Sequence, residues 1–403
     1  MKELILVTAG FPFGMGETFL ETEVKYLAKG FDKVTILAIN PSSETQRSLP
    51  DNCHATPLHI HVGSKEKLRA LRFLFTGLFW KELKVIRKTY KMRLTKGIIN
   101  TMLISLYRAS TIKNYLENSV NKNEQVFYSY WCDDAALALS LLKGKFTNLK
   151  ATSRIHRWDV YFDQSAFDYL PYRHFITKQL TAIFSISQDG IDYAKRVWKT
   201  GSDEKFQLSR LGINNESKLK KVERDYILIA SCSNLIPVKR VHLIAEALQH
   251  ITNEKIHWVH IGDGPERIRI EDLIKCFPSN VSAELKGRIS NSAIYTYYDE
   301  TRPDLFINVS SSEGVPVSIM EAMSFGIPCI ATNVGGNSEI VNEQNGKLLA
   351  ENPSPQEIAD AICVFFDSTV LQSKSEGAFL TWKEQYNGER NYNAFVEKLI
   401  KTH

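Results

Sequence analysis

The chain alternates between short apolar runs and amphipathic stretches along its whole length. ELILVTAG, KVTILAIN, QVFYSYW, ATSRIHR, AIFSIS and FQLSRLGI each read as a strand with helix-like sequence beside it. After Asp225 the pattern begins again with YILIASCS, IHWVHIGD, SAELKGRI, DLFINVS and PCIATN. Strand–helix alternation of this kind predicts an α/β chain built on mostly parallel sheets covered on both faces. The polar, charged segment Asn214 to Asp225 (NNESKLKKVERD) is the expected linker, dividing a domain over 1–213 from one over 222–380. The tail FLTWKEQYNGERNYNAFVEKLI carries apolar residues at helical spacing.

Composition changes this picture little. With 403 residues, 43% hydrophobic and 24% charged, the chain is long enough for two cored domains. Its six cysteines show no C-x-x-C and no histidine at zinc spacing, so reduced, largely buried thiols are expected and no metal site. MKELILVTAG reads better as a first strand than as a signal peptide, and no apolar run of about 20 residues is present. A cytoplasmic protein is the expectation.

Charge is unevenly placed. Between Ser64 and Lys113 thirteen Lys and Arg face only Glu66 and Glu82, a net +11 in a chain of +5. Large apolar residues, Phe79 and Trp80 among them, are interleaved with those cations. Such a stretch suits an anionic membrane surface, with Phe79 and Trp80 inserted; it also suits a helical pair with an apolar face turned to its own core and lysines in solvent. Nucleic acid is a third partner for such charge, but no nucleic-acid motif accompanies it.

The chemistry concentrates in DLFINVSSSEGVPVSIMEAMSFGIPCIATNVGGNSEIV, Asp304 to Val341. It reads as strand, serine turn, helix over Ser318 to Ser324 stopped by Gly326, and a second strand. Pro316 suits the first helical turn. Glu313 then lies at the helix mouth and Glu321 roughly 7 Å further along the axis. The mouth at Gly314, Val315, Pro316 and Val317 offers free N–H groups and a positive dipole end for a diphosphate. The carboxylates suit sugar hydroxyls on either side of it. A lone E-x7-E pair would otherwise be a cap and an ordinary helix glutamate.

This segment closely resembles the donor-site motif of retaining GT-B glycosyltransferases of the family-4 type, which build capsule, O-antigen and teichuronic acid. The resemblance implies two Rossmann-like domains facing across a cleft, with residues 381–403 packing back on the first. It implies transfer of a hexose-type sugar from a nucleotide diphosphate sugar, a UDP-sugar for example, to a hydroxyl of a saccharide or lipid-linked saccharide. Anomeric configuration would be retained, and neither a cofactor nor a metal would be needed. Nucleic acid is not an expected partner. With a lipid-linked acceptor the protein would be peripheral at the inner face of the plasma membrane.

Other segments can be placed by the same likeness. GFPFGMGETF holds Gly10, Gly14 and Gly16 before a helix at G-x-x-x-G-x-G spacing, which is not the dinucleotide G-x-G-x-x-G. It resembles a turn that faces the cleft, with Gly14 and Gly16 towards the donor and Glu17 towards the acceptor. FYSYWCDDAA and SRIHRWDVYF put Tyr130, Trp131, His156, Arg157 and Asp159 at strand ends, where site groups gather. His156 resembles a cleft histidine that approaches the transferred sugar. The others are expected on the acceptor, although Asp159, like Asp133 and Asp134, also reads as a helix cap. In the second half Lys239 and Arg240 are expected in a first helical turn against the donor diphosphate. Gly262, Gly264 and Arg288 are expected along the nucleotide. The family's usual G-R is Ser233-Asn234 here, so one arginine is missing and Arg240 is a candidate replacement. Rival readings are an epimerase of the same shape, a non-catalytic nucleotide-sugar sensor, and a pyridoxal-dependent phosphorylase.

Overall fold

Parallel strands buried on both faces explain why the apolar runs are continuous. In the computed structural model, which describes residues 2–14, 16–121, 124–215, 217 and 222–401, these runs build two all-parallel sheets. The first holds β1 (Lys2–Thr8), β2 (Lys33–Ile39), β3 (Cys53–Leu58), β4 (Glu124–Ser129), β5 (Lys150–Ile155), β6 (Ala182–Ser185) and β7 (Phe206–Leu208), ordered β3-β2-β1-β4-β5-β6-β7. The second holds β8 (Ile227–Cys232), β9 (Ile256–Ile261), β10 (Val281–Gly287), β11 (Leu305–Asn308), β12 (Cys329–Thr332) and β13 (Gly346–Leu349), ordered β10-β9-β8-β11-β12-β13. Each sheet starts in its middle, runs to one edge and then doubles back. The reversal leaves a crevice at the carboxyl ends of β1 and β4 in one sheet and of β8 and β11 in the other, where such sheets bind ligands.

The helices used below are α1 (Leu20–Gly30), α2 (Ser64–Ala70), α3 (Gly77–Lys88), α4 (Lys96–Glu117), α5 (Asp134–Lys145), α6 (Val317–Ser324) and α7 (Gly388–Lys401). None of the described helices is long and apolar enough to cross a membrane. Strands β3 and β13 have no counterpart in the sequence reading. Both are edge strands, so they escape the demand for continuous apolar sequence, and β3 even carries Pro57.

The chain divides into Met1–Ser209 with Tyr392–His403, and Arg210–Asn391. The change of unit at Ser209 precedes the expected linker, and residues 216 and 218–221 of that linker lie outside the described residues. Asn215 is held in the second unit, its Nδ2 donating to the Ser324 carbonyl at 2.8 Å. The return to the first unit begins at Tyr392 and not at 381. Trp382 and Tyr386 are buried in the second unit, where the Trp382 indole donates to the Ile213 carbonyl at 3.0 Å and the Ile213 amide donates to the Tyr386 carbonyl at 2.8 Å.

Helix α7 joins the first unit through aromatics and one buried charge. Tyr392 stacks on Tyr26 at 5.4 Å, and Phe395 meets Tyr128 and Phe184 edge-on at 5.3 and 5.1 Å. The Arg154 guanidinium on β5 lies 3.9 Å from the Phe395 ring centre and pairs with Glu23 of α1. It also donates to Ser209 Oγ at 3.2 Å, and Tyr128 donates to Glu23 at 3.2 Å. Both charges are wholly buried, so removing one strands the other. Arg154→Met should lower the urea midpoint of the intact chain by the equivalent of about 3–5 kcal/mol. The double variant Glu23→Gln, Arg154→Met should recover part of that loss; a double variant weaker than the single one would show that the pair is not what binds these elements.

Candidate active site

At the carboxyl end of β11 the chain turns through Ser310 to Pro316 into α6, with Pro316 as N-cap. The first-turn N–H groups of α6 have no intrahelical partners, as at any helix start. The turn is braced from β12. A Cβ on Gly335, whose φ is +51°, would sit 1.9 Å from the Glu313 carbonyl, and the Gly336 amide donates to the Gly314 carbonyl at 2.7 Å. Only glycine allows that approach. The sequence motif contained these glycines, but their brace was not legible from spacing.

Lys239 and Glu313 meet in this turn. Lys239 Nζ lies 2.5 Å from Glu313 Oε1, which also accepts from Asn308 Nδ2 at 3.3 Å. Glu313 is buried and Lys239 half-buried. Glu321 is also buried, one turn or more along α6, with Asn291 Nδ2 at 3.5 Å as its recorded partner. Burial alone lifts its carboxyl to about 7.

Arg240 does not share this role. Lys239 closes a 3-10 turn (Pro237–Lys239), Arg240 is left-handed at φ 47°, and the helix begins only at His242. The Arg240 guanidinium donates to the carbonyls of Val309 at 2.8 Å, Ser310 at 3.1 Å and Glu351 at 2.7 Å, and to Asn352 Oδ1 at 2.9 Å. It clamps the β11 turn to the loop after β13, so it is not a free cation for a diphosphate. The cation beside Asn234 is instead Arg288, whose guanidinium lies 3.4 Å from Asn234 Oδ1. Gly262, at φ +138°, lets the β9 and β8 turns close together, since a Cβ there would meet the Ser233 carbonyl at 1.8 Å. Gly264 packs on Leu235 in the same way.

In the first unit the glycine turn is filled by its own side chain. Glu17 Oε2 accepts from the Gly10 and Phe11 amides at 2.7 Å, and Oε1 from the Ala9 amide at 3.0 Å and the Trp131 indole at 2.6 Å. The amides that could cradle an anion therefore hold this carboxylate, and Glu17 is not open to an acceptor. Gly14 is a left-handed turn residue at φ +69° whose amide donates to Thr45, and Gly16 stands open.

Asp159 is likewise committed. Its Oδ1 accepts from the His156 amide at 2.7 Å and its Oδ2 from the Cys132 amide at 2.9 Å, tying the ends of β5 and β4 together. Tyr130 is fully buried beneath the site. The His156 ring lies between Tyr130 and Trp131, with centroids 4.6 and 4.4 Å away; among the described residues neither ring nitrogen has a hydrogen-bond partner, and Nδ1 lies 3.8 Å from Asp159 Oδ2. Arg157 is half-buried beside it.

Asp133 caps α5 through the Ala135 amide at 2.8 Å, as its capping reading allowed. Burial and the neighbouring Asp134 lift its carboxyl to about 7. Two cavities adjoin it. One of about 190 Å³ is lined by Thr8, Asn40, Arg108, Trp131 and Asp133, and one of about 360 Å³ by Asn100, Ser105, Arg108, Trp158 and Arg173. Sequence reasoning missed Arg108 and Arg173, because a single arginine in a helix carries no local signal.

Comparison with known proteins agrees with the two-sheet fold. Residues 213–374 match the family model described as "Glycosyl transferases group 1". The N-acetyl-alpha-D-glucosaminyl L-malate synthase of Bacillus anthracis is 24% identical over 81% of this chain and 87% of its own length. The O-antigen biosynthesis glycosyltransferase WbnH of Escherichia coli is 33% identical, but over 38% of this chain and less than half, 44%, of its own length. Among solved structures, the lipopolysaccharide outer core galactosyltransferase WaaB in its apo form superposes with a TM-score of 0.71 at 13% identity, covering 99% of both chains. HepE of Anabaena in complex with UDP and glucose gives 0.64 at 14% identity over 98% of this chain and 99% of that one.

Glu321 yields a stability test. Its folded pKa is raised, so its contribution is fully present below its ordinary value of 4.5 and is lost as pH rises through about 7. Glu321→Gln should match the wild type near pH 4.5 and be more stable at pH 8, by on the order of 3 kcal/mol. Thermal unfolding across that range checks it, and coincident pH profiles would contradict the buried, costly carboxylate.

Proposed function

We propose that this chain, whose residues 213–374 match the glycosyl transferases group 1 model and whose units each carry a parallel sheet, is a glycosyltransferase that moves a hexose-type sugar from a nucleotide diphosphate sugar to a hydroxyl of a saccharide, with retention of anomeric configuration. The observation that carries this reading is the Lys239–Glu313 pair at the mouth of α6, with Glu321 buried behind it. UDP-sugars are the first donors to test, given the UDP and glucose named for HepE.

The pair explains how a donor enters. A diphosphate draws Lys239 from Glu313, gaining a charge-assisted contact in a poorly solvated turn. Glu313, released, accepts from hydroxyls of the sugar. Glu321 accepts from the ribose diol, where a carboxylate already held away from water loses little by pairing. As the glycosidic bond breaks, negative charge grows on the departing diphosphate. Lys239 and the α6 amides stabilise it in place, usually the largest catalytic term. The leaving phosphate takes the proton of the attacking hydroxyl on the same face of the sugar. His156, in the first unit, serves the saccharide side of the reaction. In the first unit the acceptor's hydroxyls meet Asp133, Arg108 and Asn40, with Trp131 offering a ring face to a pyranose.

The names of several relatives place them in O-antigen, colanic acid and teichuronic acid synthesis. We read the acceptor here as a saccharide, carried on a lipid, in surface polysaccharide assembly at the inner face of the membrane.

Steady-state kinetics with a turned-over donor test the roles. Lys239→Ala should lower kcat by about 10²–10³-fold, whereas Arg240→Ala should act through stability. Glu321→Ala should chiefly raise the donor KM, and Glu313→Ala should chiefly lower kcat. His156→Ala should cut turnover and leave nucleoside diphosphate binding intact. A reversed pattern for the two glutamates overturns their assignment, and unchanged kinetics for Lys239→Ala removes it from the site.

A further inference from the structure

The basic stretch forms an excursion of the first unit, and the structure resolves which of its residues face out. Helix α3 is fixed by its inner face. Phe79 and Ile86 are buried in the core, and Glu82, also buried, accepts from the Tyr169 hydroxyl and from the Tyr172 amide at 2.9 Å. One of the two acids in the stretch is therefore turned inward. The other, Glu66, accepts from the Gly63 amide at 3.1 Å and lies 3.7 Å from Arg69.

What remains outside has a single sign of charge. Trp80, Lys81, Lys84, Arg87 and Lys88 fall at helical spacing on the outer face of α3, all exposed. Lys65, Lys67 and Arg72 are exposed on α2 and the turn beyond it, and among the described residues none of these seven cations has an ion pair; the acid that stands near them, Glu66, is beside Arg69. Beside the cations stand exposed apolar side chains: Phe75 at 91%, Leu68 at 70%, Trp80 at 57% and Leu71 at 43%. The expected insertion of Phe79 is thus corrected, since Phe79 is core and Phe75, at the tip between the two helices, is the outward aromatic. Trp80 is held in its outward position by an indole bond to the Leu74 carbonyl at 2.8 Å.

We propose that this α2–α3 face docks on an anionic lipid surface, with Phe75, Leu68 and Leu71 entering the headgroup boundary and the α3 cations lying over the anionic headgroups. The proposal extends the lipid-linked acceptor reading by assigning the face, and vesicle binding by the unliganded chain tests it apart from the transfer reaction. Two features favour lipid over nucleic acid. Exposed apolar side chains accompany the charge, Trp80 on the cationic face of α3 itself, and a phosphate backbone offers them nothing. Leu68, Leu71 and Phe75 also fall within eight residues of one another, close enough in the chain to enter a surface together.

The experiment is co-sedimentation of the intact chain with vesicles of phosphatidylcholine alone and with about one third phosphatidylglycerol. Binding is expected only to the anionic vesicles and should weaken in salt, since attraction fades within roughly a Debye length of about 10 Å at 0.1 M. Each Lys or Arg near the surface is worth roughly fivefold in partitioning. Reversing Lys81, Lys84, Arg87 and Lys88 to Glu should therefore abolish binding. Phe75→Ser should weaken binding to the same vesicles by about tenfold or more, with an unchanged melting temperature. Donor turnover with a soluble acceptor should survive both changes, so loss of transfer and loss of docking are read separately. Wild-type indifference to anionic vesicles overturns the proposal. So does binding that Phe75→Ser leaves untouched, or equal retention by duplex DNA, either of which makes the face a general polyanion contact.

Discussion

A backbone that leaves the carboxyl edge of a parallel sheet loses its ladder partners at once, and its amides and carbonyls must be satisfied by something else. Here side chains of opposite polarity meet that demand at three turns. Glu17 gathers three amides of the β1 turn, Asp159 takes the amides of Cys132 and His156, and Arg240 takes two carbonyls after β11 and one after β13. These residues lie at the crevice and carry charge, yet that charge is consumed by the scaffold. Lys239, Glu313, Glu321 and His156 are bound to no such duty. The division between scaffold and chemistry in this protein follows from where each side chain's hydrogen bonds go.

That division also governs how the unliganded site rests. Lys239 and Glu313 neutralise each other, so a half-buried cation and a buried carboxylate are both tolerated without ligand. Among the described residues no cation pairs with Glu321, which is shifted towards its neutral form instead. Two buried carboxylates, one at the mouth of α6 and one inside it, thus solve the same burial problem by different means, one by pairing and one by a raised pKa.

Much of this was legible in the sequence. The repeated strand–helix pattern predicts two parallel sheets, and the SSSEGVPVSIMEAM run predicts a turn, a proline-led helix and two inward carboxylates. What was not legible is orientation. An aspartate or glutamate at a strand end has the same local sequence whether it meets its own backbone or a ligand, so Glu17 reads as a contact residue and Asp159 as a contact residue or a cap. Arg240 misled in the same way, because a cation beside Lys239 gives no sign of being folded back on carbonyls. The edge strands β3 and β13 lack the two-sided burial that makes a strand visible. Phe75 and Phe79 are one helical turn apart in sequence, and only packing decides that one is core and the other outermost.

The last helix has a consequence for how the protein is made. Tyr392, Phe395 and Arg154 share one aromatic and ionic cluster in the first unit, although Arg154 is synthesised more than two hundred residues earlier. At translation speeds of about 5–20 residues per second, the nascent first unit spends on the order of ten seconds or more with that side of its core uncovered while the second unit emerges. Glu23 and Arg154 can pair with each other during that interval, but the face of Arg154 that later meets Phe395 stays open to water. The first domain is thus completed only after the second sheet has been made, and a ribosome stalled between Leu349 and Tyr392 would leave it unfinished.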